Sequence, residues 1–150
     1  MYADKRNTHP DTWGGLMKTI KSDKIFQFVN DSTDLYIGVP DSLLKGFLKE
    51  IEQSEKKHII CVNEAHAVSI AFGAMLAGMQ PCVYLQNSGL GNIINPITSL
   101  CLPAGVHPLL VIGHRHTLPQ HKIMGQTDAQ ILKTIGYSNY ILVEGSNNVK

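Results

Sequence analysis

Hydrophobic residues occur along this chain in short unbroken runs, separated by segments in which apolar positions recur at helical spacing. Five of the runs have the length and the β-branched or aromatic content of strands, namely residues 35–39, 58–62, 81–86, 108–113 and 140–143. Strands that are apolar at successive positions are buried on both faces, which is typical of parallel sheets covered by helices.

The segments between these runs predict helices. They cover residues 22–30, from 41 or 42 to about 54, 64–78, 90–102 and 128–135. The segment His114–Thr127 is predicted to be a long polar loop, and Asp128 the N-cap of the last helix. The regular alternation of strands and helices predicts the fold class: α/β, with an open parallel sheet flanked by helices.

The chain has 150 residues and is 43% hydrophobic, which is enough for one compact domain with a substantial core. Residues 1–20 are largely polar and lack a clear period, so they are predicted to be an N-terminal extension, in which Trp13 is a candidate docking contact. The domain is predicted to run from residue 21 to residue 150.

Charge and hydropathy exclude several classes of function. The net charge is only +1 and the basic residues are scattered, which does not indicate a nucleic-acid surface. No apolar stretch approaches the roughly 20 residues of a membrane span, and the polar N-terminus has no signal-peptide core. A cytoplasmic location without membrane contact is therefore expected.

The three cysteines are predicted to be buried free thiols, with a catalytic thiol or a disulfide as the less favoured alternatives. They are spaced about twenty residues apart without a C-x-x-C pair, at Cys61, Cys82 and Cys101.

Polar residues follow the predicted strands, where parallel sheets bind their ligands. Glu64 stands between an apolar strand and an alanine-rich helix. It is either a helix N-terminal acid or a carboxyl group that exchanges a proton with a ligand nitrogen. The loop Asn87–Asn92 lacks the third glycine of a dinucleotide fingerprint, since Ile94 stands there. It is either a turn with a helix cap or a loop that contacts a flat polar ligand.

The third polar cluster is basic and contains His114-Arg115-His116 and His121-Lys122. A solvated loop and a lid that supplies cations to an anionic substrate both fit this composition. Arginine suits such an anion because its guanidinium group can bind two oxygens at once. A zinc site is disfavoured, because no carboxylate or thiol stands nearby in the sequence.

Small residues cover much of the predicted helix 64–78, which lets a second helix approach closely. They are Ala65, Ala67, Ala71, Gly73, Ala74, Ala77 and Gly78. Packing within the domain and a subunit interface are equally compatible with this surface, so self-association is a further expectation.

Together these segments resemble the pyrimidine-binding domain of phosphonopyruvate and sulfopyruvate decarboxylases, which depend on thiamine diphosphate. The resemblance extends from about residue 22 to 144. It rests on Gly38-Val39-Pro40-Asp41-Ser42-Leu43-Leu44, Asn63-Glu64, Gln86-Asn87-Ser88-Gly89-Leu90-Gly91-Asn92, Ile112-Gly113-His114-Arg115 and Pro119-Gln120-His121. The first of these strings is closer to the phosphonopyruvate branch.

The resemblance implies roles for individual residues. Glu64 matches the glutamate that bonds the pyrimidine ring of the cofactor and thereby activates the thiazolium carbon that attacks a 2-oxo acid. Four residues would shape the cofactor and substrate pocket: Asn87, Ser88, Gly89 and Asn92. The substrate candidates, besides Asn87, are Asp41, Ser42, His114, Arg115, His121 and Lys122, and Asp41 is also a candidate helix cap.

The resemblance also implies a partner. These enzymes hold the diphosphate through Mg²⁺ and a Gly-Asp-Gly motif, which is absent from this sequence. A separate β subunit is therefore expected to carry the motif and the metal. Leu118 and His116 depart from the family pattern, in which an acidic residue and a glycine are common at these positions.

The sequence thus predicts the α subunit of a two-subunit 2-oxo acid decarboxylase, acting on 3-phosphonopyruvate. The alternatives are a subunit for sulfopyruvate or another 2-oxo acid, and a binding homologue without activity.

Overall fold

Five parallel strands with helices on both faces form the part of the protein that the computed structural model describes, residues 22–144. The predicted extension, including Trp13, lies outside this range, and the predicted domain limits are not tested by it. The elements are α1 Ser22–Val29, β1 Leu35–Gly38, α2 Lys45–Gln53, β2 Lys57–Ile60, α3 Glu64–Leu76, β3 Pro81–Gln86, α4 Leu90–Pro96, β4 Leu109–His114, α5 Pro119–Thr134 and β5 Tyr140–Glu144.

The strand order in the sheet is β2-β1-β3-β4-β5, and every neighbouring pair is parallel. The chain first moves outward from β1 to β2 and then returns past β1 to β3. The connection after β1 therefore runs toward one edge of the sheet, and the connection after β3 runs toward the other. The gap between the carboxyl ends of β1 and β3 is the switch point, where open α/β sheets bind ligands. The predicted fold class is confirmed.

Two helical layers cover the sheet. On one face, α1 and α2 bury Ile25, Phe47 and Ile51 against Tyr36 and Tyr84. On the other face, α3, α4 and α5 form the larger apolar cluster, built from Ala67, Val68, Ala71, Leu90, Ile93, Ile97 and Leu132 with the opposite side chains of the strands. A sheet covered on both faces holds its carboxyl-end loops in fixed positions, and those loops carry the polar residues.

The prediction that every strand is buried on both faces is wrong for β2. This strand lies at the edge of the sheet, and Ile60 is 62% exposed. The predicted strand also extended to Val62, which lies beyond the observed end and is 85% exposed. Periodicity cannot distinguish an edge strand from a central one, because the position of a strand in the sheet depends on long-range pairing.

The predicted loop His114–Thr127 and the short helix after it are also wrong. A single 16-residue helix begins at Pro119 and ends at Thr134. Proline is favoured at the first helical position because its fixed φ suits the helix and its missing N–H would be unpaired there. The sequence-based prediction relied on apolar periodicity, which is weak here because much of the helix faces solvent.

Two predicted helices are confirmed with changes in their local geometry. A 3₁₀ turn at Ser42–Leu44 precedes α2. The segment predicted over 90–102 is α-helical only to Pro96 and then continues as a π-helix over Ile97–Cys101. Proline inside a helix removes one hydrogen bond and crowds the preceding turn, which accounts for the wider turn that follows.

The small residues of α3 contribute to packing within the domain. Ala67 and Ala71 are completely buried in the cluster that α3 forms with α4 and the sheet. Gly73 and Ala77 are exposed, so a face of the helix remains open to a further contact. Within residues 22–144, no helix combines the length and apolar character needed to cross a membrane.

Candidate active site

The first part of the site is a buried carboxylate at the start of α3. Asn63 caps this helix, since its side-chain oxygen accepts a hydrogen bond from the backbone N–H of His66 at 2.9 Å. The cap places Glu64 at the first helical position, where it is only 7% exposed. The amide nitrogen of Asn92 donates to Oε2 of Glu64 at 2.6 Å. Oε1 accepts no hydrogen bond from the residues that the structure describes.

Gly89 lies directly against this carboxylate. A Cβ atom placed on Gly89 would be 2.4 Å from Oε1 of Glu64 and 2.5 Å from its carboxyl carbon, which is far below a permitted contact. Gly91, by contrast, has nothing within 4 Å of such an atom. The glycine at 89 therefore lets the loop after β3 approach Glu64, and a side chain there would displace the carboxylate.

Asn87 is the most deeply buried polar residue of the loop, with no exposed surface. Its amide nitrogen donates to the backbone oxygen of Arg115 at 2.9 Å and to Oδ2 of Asp128 at 3.0 Å. Its oxygen Oδ1 is buried and has no hydrogen-bond partner. Buried polar atoms are nearly always paired, so this oxygen is a candidate contact for a ligand or a water molecule.

Asp128 is not the N-cap of the last helix, as the sequence had suggested. It lies within α5, is 2% exposed, and its Oδ2 is 2.5 Å from Nδ1 of His114 at the end of β4. The rings of His114 and His116 are 4.8 Å apart and tilted by 31°. The expectation that no carboxylate stands near the histidines is therefore wrong, because α5 folds one back onto them.

An ion pair connects the loops that follow β1 and β4. Arg115 donates from Nη2 to Oδ2 of Asp41 at 2.7 Å and from Nε to the same oxygen at 3.1 Å. Nη2 also donates to the hydroxyl oxygen of Ser42 at 2.6 Å. Asp41 in addition accepts from the backbone N–H of Leu43, so its predicted capping role is confirmed. The other terminal nitrogen, Nη1, has no partner among the described residues.

The remaining predicted substrate residues lie on the first turns of α5. Nδ1 of His121 is 3.1 Å from the hydroxyl of Ser88, which links α5 to the loop after β3. Lys122 is exposed and makes no ion pair within the described range. The structure therefore brings most of the predicted site residues to one edge of the sheet, with Lys122 at its periphery.

The contacts of Asp128 with His114 and Asn87 were not predicted from the sequence, because the helix that begins at Pro119 was not predicted. On one helix, His121, Gly125 and Asp128 follow at spacings of four and three, so they share a face. That face meets the loops after β3 and β4 through all three residues. Recognising Pro119 as a helix start would have revealed the pattern.

The cysteines and the histidines provide no metal centre within the described residues. No group of three or more His, Cys, Asp or Glu side chains there is arranged to hold an ion. All three cysteines are free and buried, as predicted. Burial raises the pKa of the Cys61 thiol and raises that of Cys101 to about 11, which keeps both in the unreactive protonated form at neutral pH.

Comparison with known proteins relates the chain to one group of decarboxylases. The α subunit of sulfopyruvate decarboxylase from Methanocaldococcus jannaschii is 41% identical over 64% of this chain and 58% of its own length. The corresponding subunit from Methanococcus maripaludis is 33% identical over 76% of this chain and 72% of its own length. The chain belongs to the sulfopyruvate and phosphonopyruvate decarboxylase family.

Phosphonopyruvate decarboxylase from Streptomyces viridochromogenes is 35% identical over 63% of this chain, although the match covers only 25% of that protein. The chain thus spans little more than half of the first relative and a quarter of this one. No family model matches the sequence.

Among solved structures, a 2-oxoglutarate:ferredoxin oxidoreductase from Magnetococcus marinus has the same fold. The TM-score is 0.56 at 10% identity, over 87% of this chain and 28% of that one. At this identity the likeness concerns the fold alone.

Proposed function

We propose that this chain is the α subunit of a two-subunit, thiamine-diphosphate-dependent decarboxylase of a 2-oxo acid that carries a second anionic group. The expected substrate is 3-phosphonopyruvate, which would yield phosphonoacetaldehyde and carbon dioxide. The proposal rests above all on the carboxylate of Glu64, which is buried, held by one neutral amide, and has a second oxygen left for a ligand.

The residues around Glu64 fit the pyrimidine part of the cofactor. A buried carboxylate without a charged partner is costly, and a ring nitrogen that takes up a proton would compensate it. Gly89 keeps the approach to Oε1 free of side chains, and Asn92 sets the orientation of the carboxyl group. When bound, thiamine diphosphate supplies the nucleophilic carbon and the electron sink that decarboxylation of a 2-oxo acid requires.

Within this proposal the chain's own residues bind and orient. Glu64 would hold the pyrimidine ring of the cofactor through its free oxygen and would keep a proton on the ring nitrogen. Asn87 and Ser88, on the turn after β3, and Asn92, on the first turn of α4, would offer amide and hydroxyl groups to the ligands. Of these three side chains only Asn87 is buried, which strengthens its polar interactions, whereas Ser88 and Asn92 are exposed.

The substrate's second anionic group would meet the edge formed by Ser42 and Arg115. Asp41 compensates much of the arginine charge, yet Nη1 of Arg115 has no partner among the described residues and can donate to an oxyanion. His121 and Lys122 extend this edge with further donors. We assign the phosphonate or sulfonate to this position because the cations of the site are concentrated there.

The proposal includes a partner subunit. Relatives of this chain are named as α subunits, and the present sequence has no Gly-Asp-Gly motif. A β subunit with that motif would bind the diphosphate through Mg²⁺, and the complete site would form between the two chains. The exposed side chains of Ile60 and Val62, close to Glu64 in the sequence, are available for such a contact.

3-Sulfopyruvate is the second candidate substrate. The 41% identity to a sulfopyruvate decarboxylase subunit favours it, whereas the string Gly38 to Leu44 is closer to the phosphonopyruvate branch. Both acids have the same carbon skeleton and differ in the charge and geometry of the terminal group.

The decisive experiment is an assay of the reconstituted pair. The chain is co-expressed with a polypeptide from the same source that carries Gly-Asp-Gly, and carbon dioxide release is measured with phosphonopyruvate, sulfopyruvate and pyruvate. We expect turnover only with both subunits, thiamine diphosphate and Mg²⁺ present, and the highest kcat/KM with phosphonopyruvate.

Each subunit alone is the control for partner dependence. A higher kcat/KM with sulfopyruvate would make sulfopyruvate the substrate and would leave the proposed mechanism unchanged. A pair that assembles and binds the cofactor but releases carbon dioxide from none of the three acids would refute the proposed function.

A further inference from the structure

Asp128 connects the two loops that carry the candidate substrate residues. One of its oxygens, Oδ2, lies 2.5 Å from Nδ1 of His114 and accepts a hydrogen bond from the amide nitrogen of Asn87 at 3.0 Å. The side chain is almost fully buried, and so are both of its partners. A group of this kind in a dry site determines the orientation of whatever it contacts.

The contacts to Asp128 specify which atoms remain for a ligand. A carboxylate oxygen accepts hydrogen bonds, so Nδ1 of His114 carries a hydrogen, and in the neutral ring Nε2 is left as the nitrogen without one. The amide group of Asn87 faces two acceptors, Asp128 and the backbone oxygen of Arg115, so its nitrogen must point toward them. Its oxygen Oδ1 is then the unpaired atom, and a ligand there must bring an N–H or O–H group.

The helix that carries Asp128 is itself closely fitted to the site. A Cβ atom on Gly125 would lie 2.4 Å from Cβ of His116 and 2.5 Å from the backbone oxygen of Arg115. This contact, one turn before Asp128, leaves α5 little freedom to move relative to the loop after β4.

We propose that Asp128 is a positioning residue of the active site. It holds His114 with Nε2 directed to the reacting group and Asn87 with Oδ1 as an acceptor for a ligand donor. Asp128 does not itself reach the substrate. This inference builds on the proposed decarboxylase function, since the ligand groups belong to that reaction.

The first test is spectroscopic and needs no activity. The full chain is labelled with ¹⁵N-histidine, and the two ring nitrogens of His114 are assigned by comparison with His114→Gln. We expect the Nδ1–H form in the wild type and a mixture of tautomers in Asp128→Asn. An Nε2–H form in the wild type would overturn the proposal, and this observation stands even if the variant folds poorly.

The second test is a double-mutant cycle in the reconstituted pair. Asp128→Asn is expected to lower kcat by about 10- to 100-fold, the usual loss when a hydrogen bond to a charged group is removed. The KM should stay within about 3-fold, because Asp128 does not contact the substrate. In a His114→Asn background, Asp128→Asn should cause much less further loss of kcat, since the residue it positions is gone.

A purely structural role would give additive losses and would refute the proposal. Asp31→Asn, an exposed change at the other end of the sheet, is the matched control and should leave kcat unchanged. If the wild-type pair proves inactive with every acid, the proposed function fails, while the tautomer measurement still decides whether Asp128 orients His114.

Discussion

Two clusters at the carboxyl-end edge of the sheet, here called corners, differ in whether their carboxylate is paired with a cation. At the Glu64 corner, formed by Glu64, Gly89 and Asn92, a buried carboxylate has a single neutral hydrogen-bond donor among residues 22–144. At the Arg115 corner, formed by Asp41, Ser42 and Arg115, cation and carboxylate compensate each other in an ion pair. The Glu64 carboxylate is thus left for a partner from outside, whereas the Asp41 carboxylate is neutralised by Arg115.

This difference indicates what each corner contributes. Burial of a carboxylate without a paired cation is costly, and the N-terminus of α3 offsets only part of that cost, so Glu64 is a candidate functional group. The ion pair fixes the distance between two loops, and the guanidinium nitrogen that has no partner in the described part of the chain can offer a directed contact to a ligand. Under the proposed function, the first corner would activate the cofactor and the second would recognise the substrate.

The largest effect is expected from Glu64→Gln in the reconstituted pair. Glutamine has the same shape and can still accept from Asn92, but it cannot exchange a proton with a ring nitrogen. We expect kcat to fall by about 1,000-fold or more, as for a lost acid–base group. Thermal unfolding should show that the variant remains folded, and Glu55→Gln, on an exposed turn, should retain full activity. Unchanged turnover in Glu64→Gln would contradict the assignment of the first corner.

Gly89→Ala should give the next largest loss. The added methyl group would meet the Glu64 carboxylate, so we expect cofactor affinity, measured by calorimetric titration of the assembled pair, to fall by about 100-fold, which corresponds to roughly 2.7 kcal/mol.

Gly91→Ala is the matched control, because it lies two residues away with open space at its Cβ position. It should bind the cofactor normally and raise the melting temperature by about 2–4 °C, since alanine is the better helix former. Equal losses in the two variants would show that the contact with Glu64 is not the cause.

Arg115→Lys tests the second corner and should have a moderate effect. Lysine keeps the charge but cannot bond Asp41 and an oxyanion at the same time. The KM for phosphonopyruvate should rise by about 10-fold, while kinetic constants with plain pyruvate change little. An equal rise for both acids would mean that Arg115 holds the loops and does not recognise the terminal anion.

The smallest effect concerns a polar pair outside both corners. Nε2 of His58 lies 2.7 Å from the hydroxyl of Tyr84, and burial lowers the pKa of His58 below its ordinary value. The unfolded chain then binds more protons than the folded one, so stability falls as the pH drops below about 6.5. His58→Gln should flatten this dependence, with changes in melting temperature of no more than about 4 °C between pH 7 and pH 5. A wild-type melting temperature that is constant over this range would contradict it.

The polar ends of the strands were predictable, and their mutual contacts were not. Glu64 and the loop Asn87–Asn92 stood out because they are polar residues that directly follow apolar runs of the sequence. The segment after β4 was read as a loop, because the helix that begins at Pro119 is mostly polar and lacks a clear apolar period. With that helix unrecognised, Asp128 had no position relative to His114, which precedes it by fourteen residues.

The order of apolar runs and helical segments by itself determined the parallel α/β fold, because local periodicity and burial on both faces leave few other arrangements. The same order placed Glu64, Asn87 and Arg115 at the carboxyl ends of strands. Only the tertiary structure decided that β2 is an edge, that Asp41 compensates Arg115, and that Asp128 orients His114 and Asn87. These contacts join residues distant in the chain, and they form only when strand order and helix packing bring their side chains within hydrogen-bond distance.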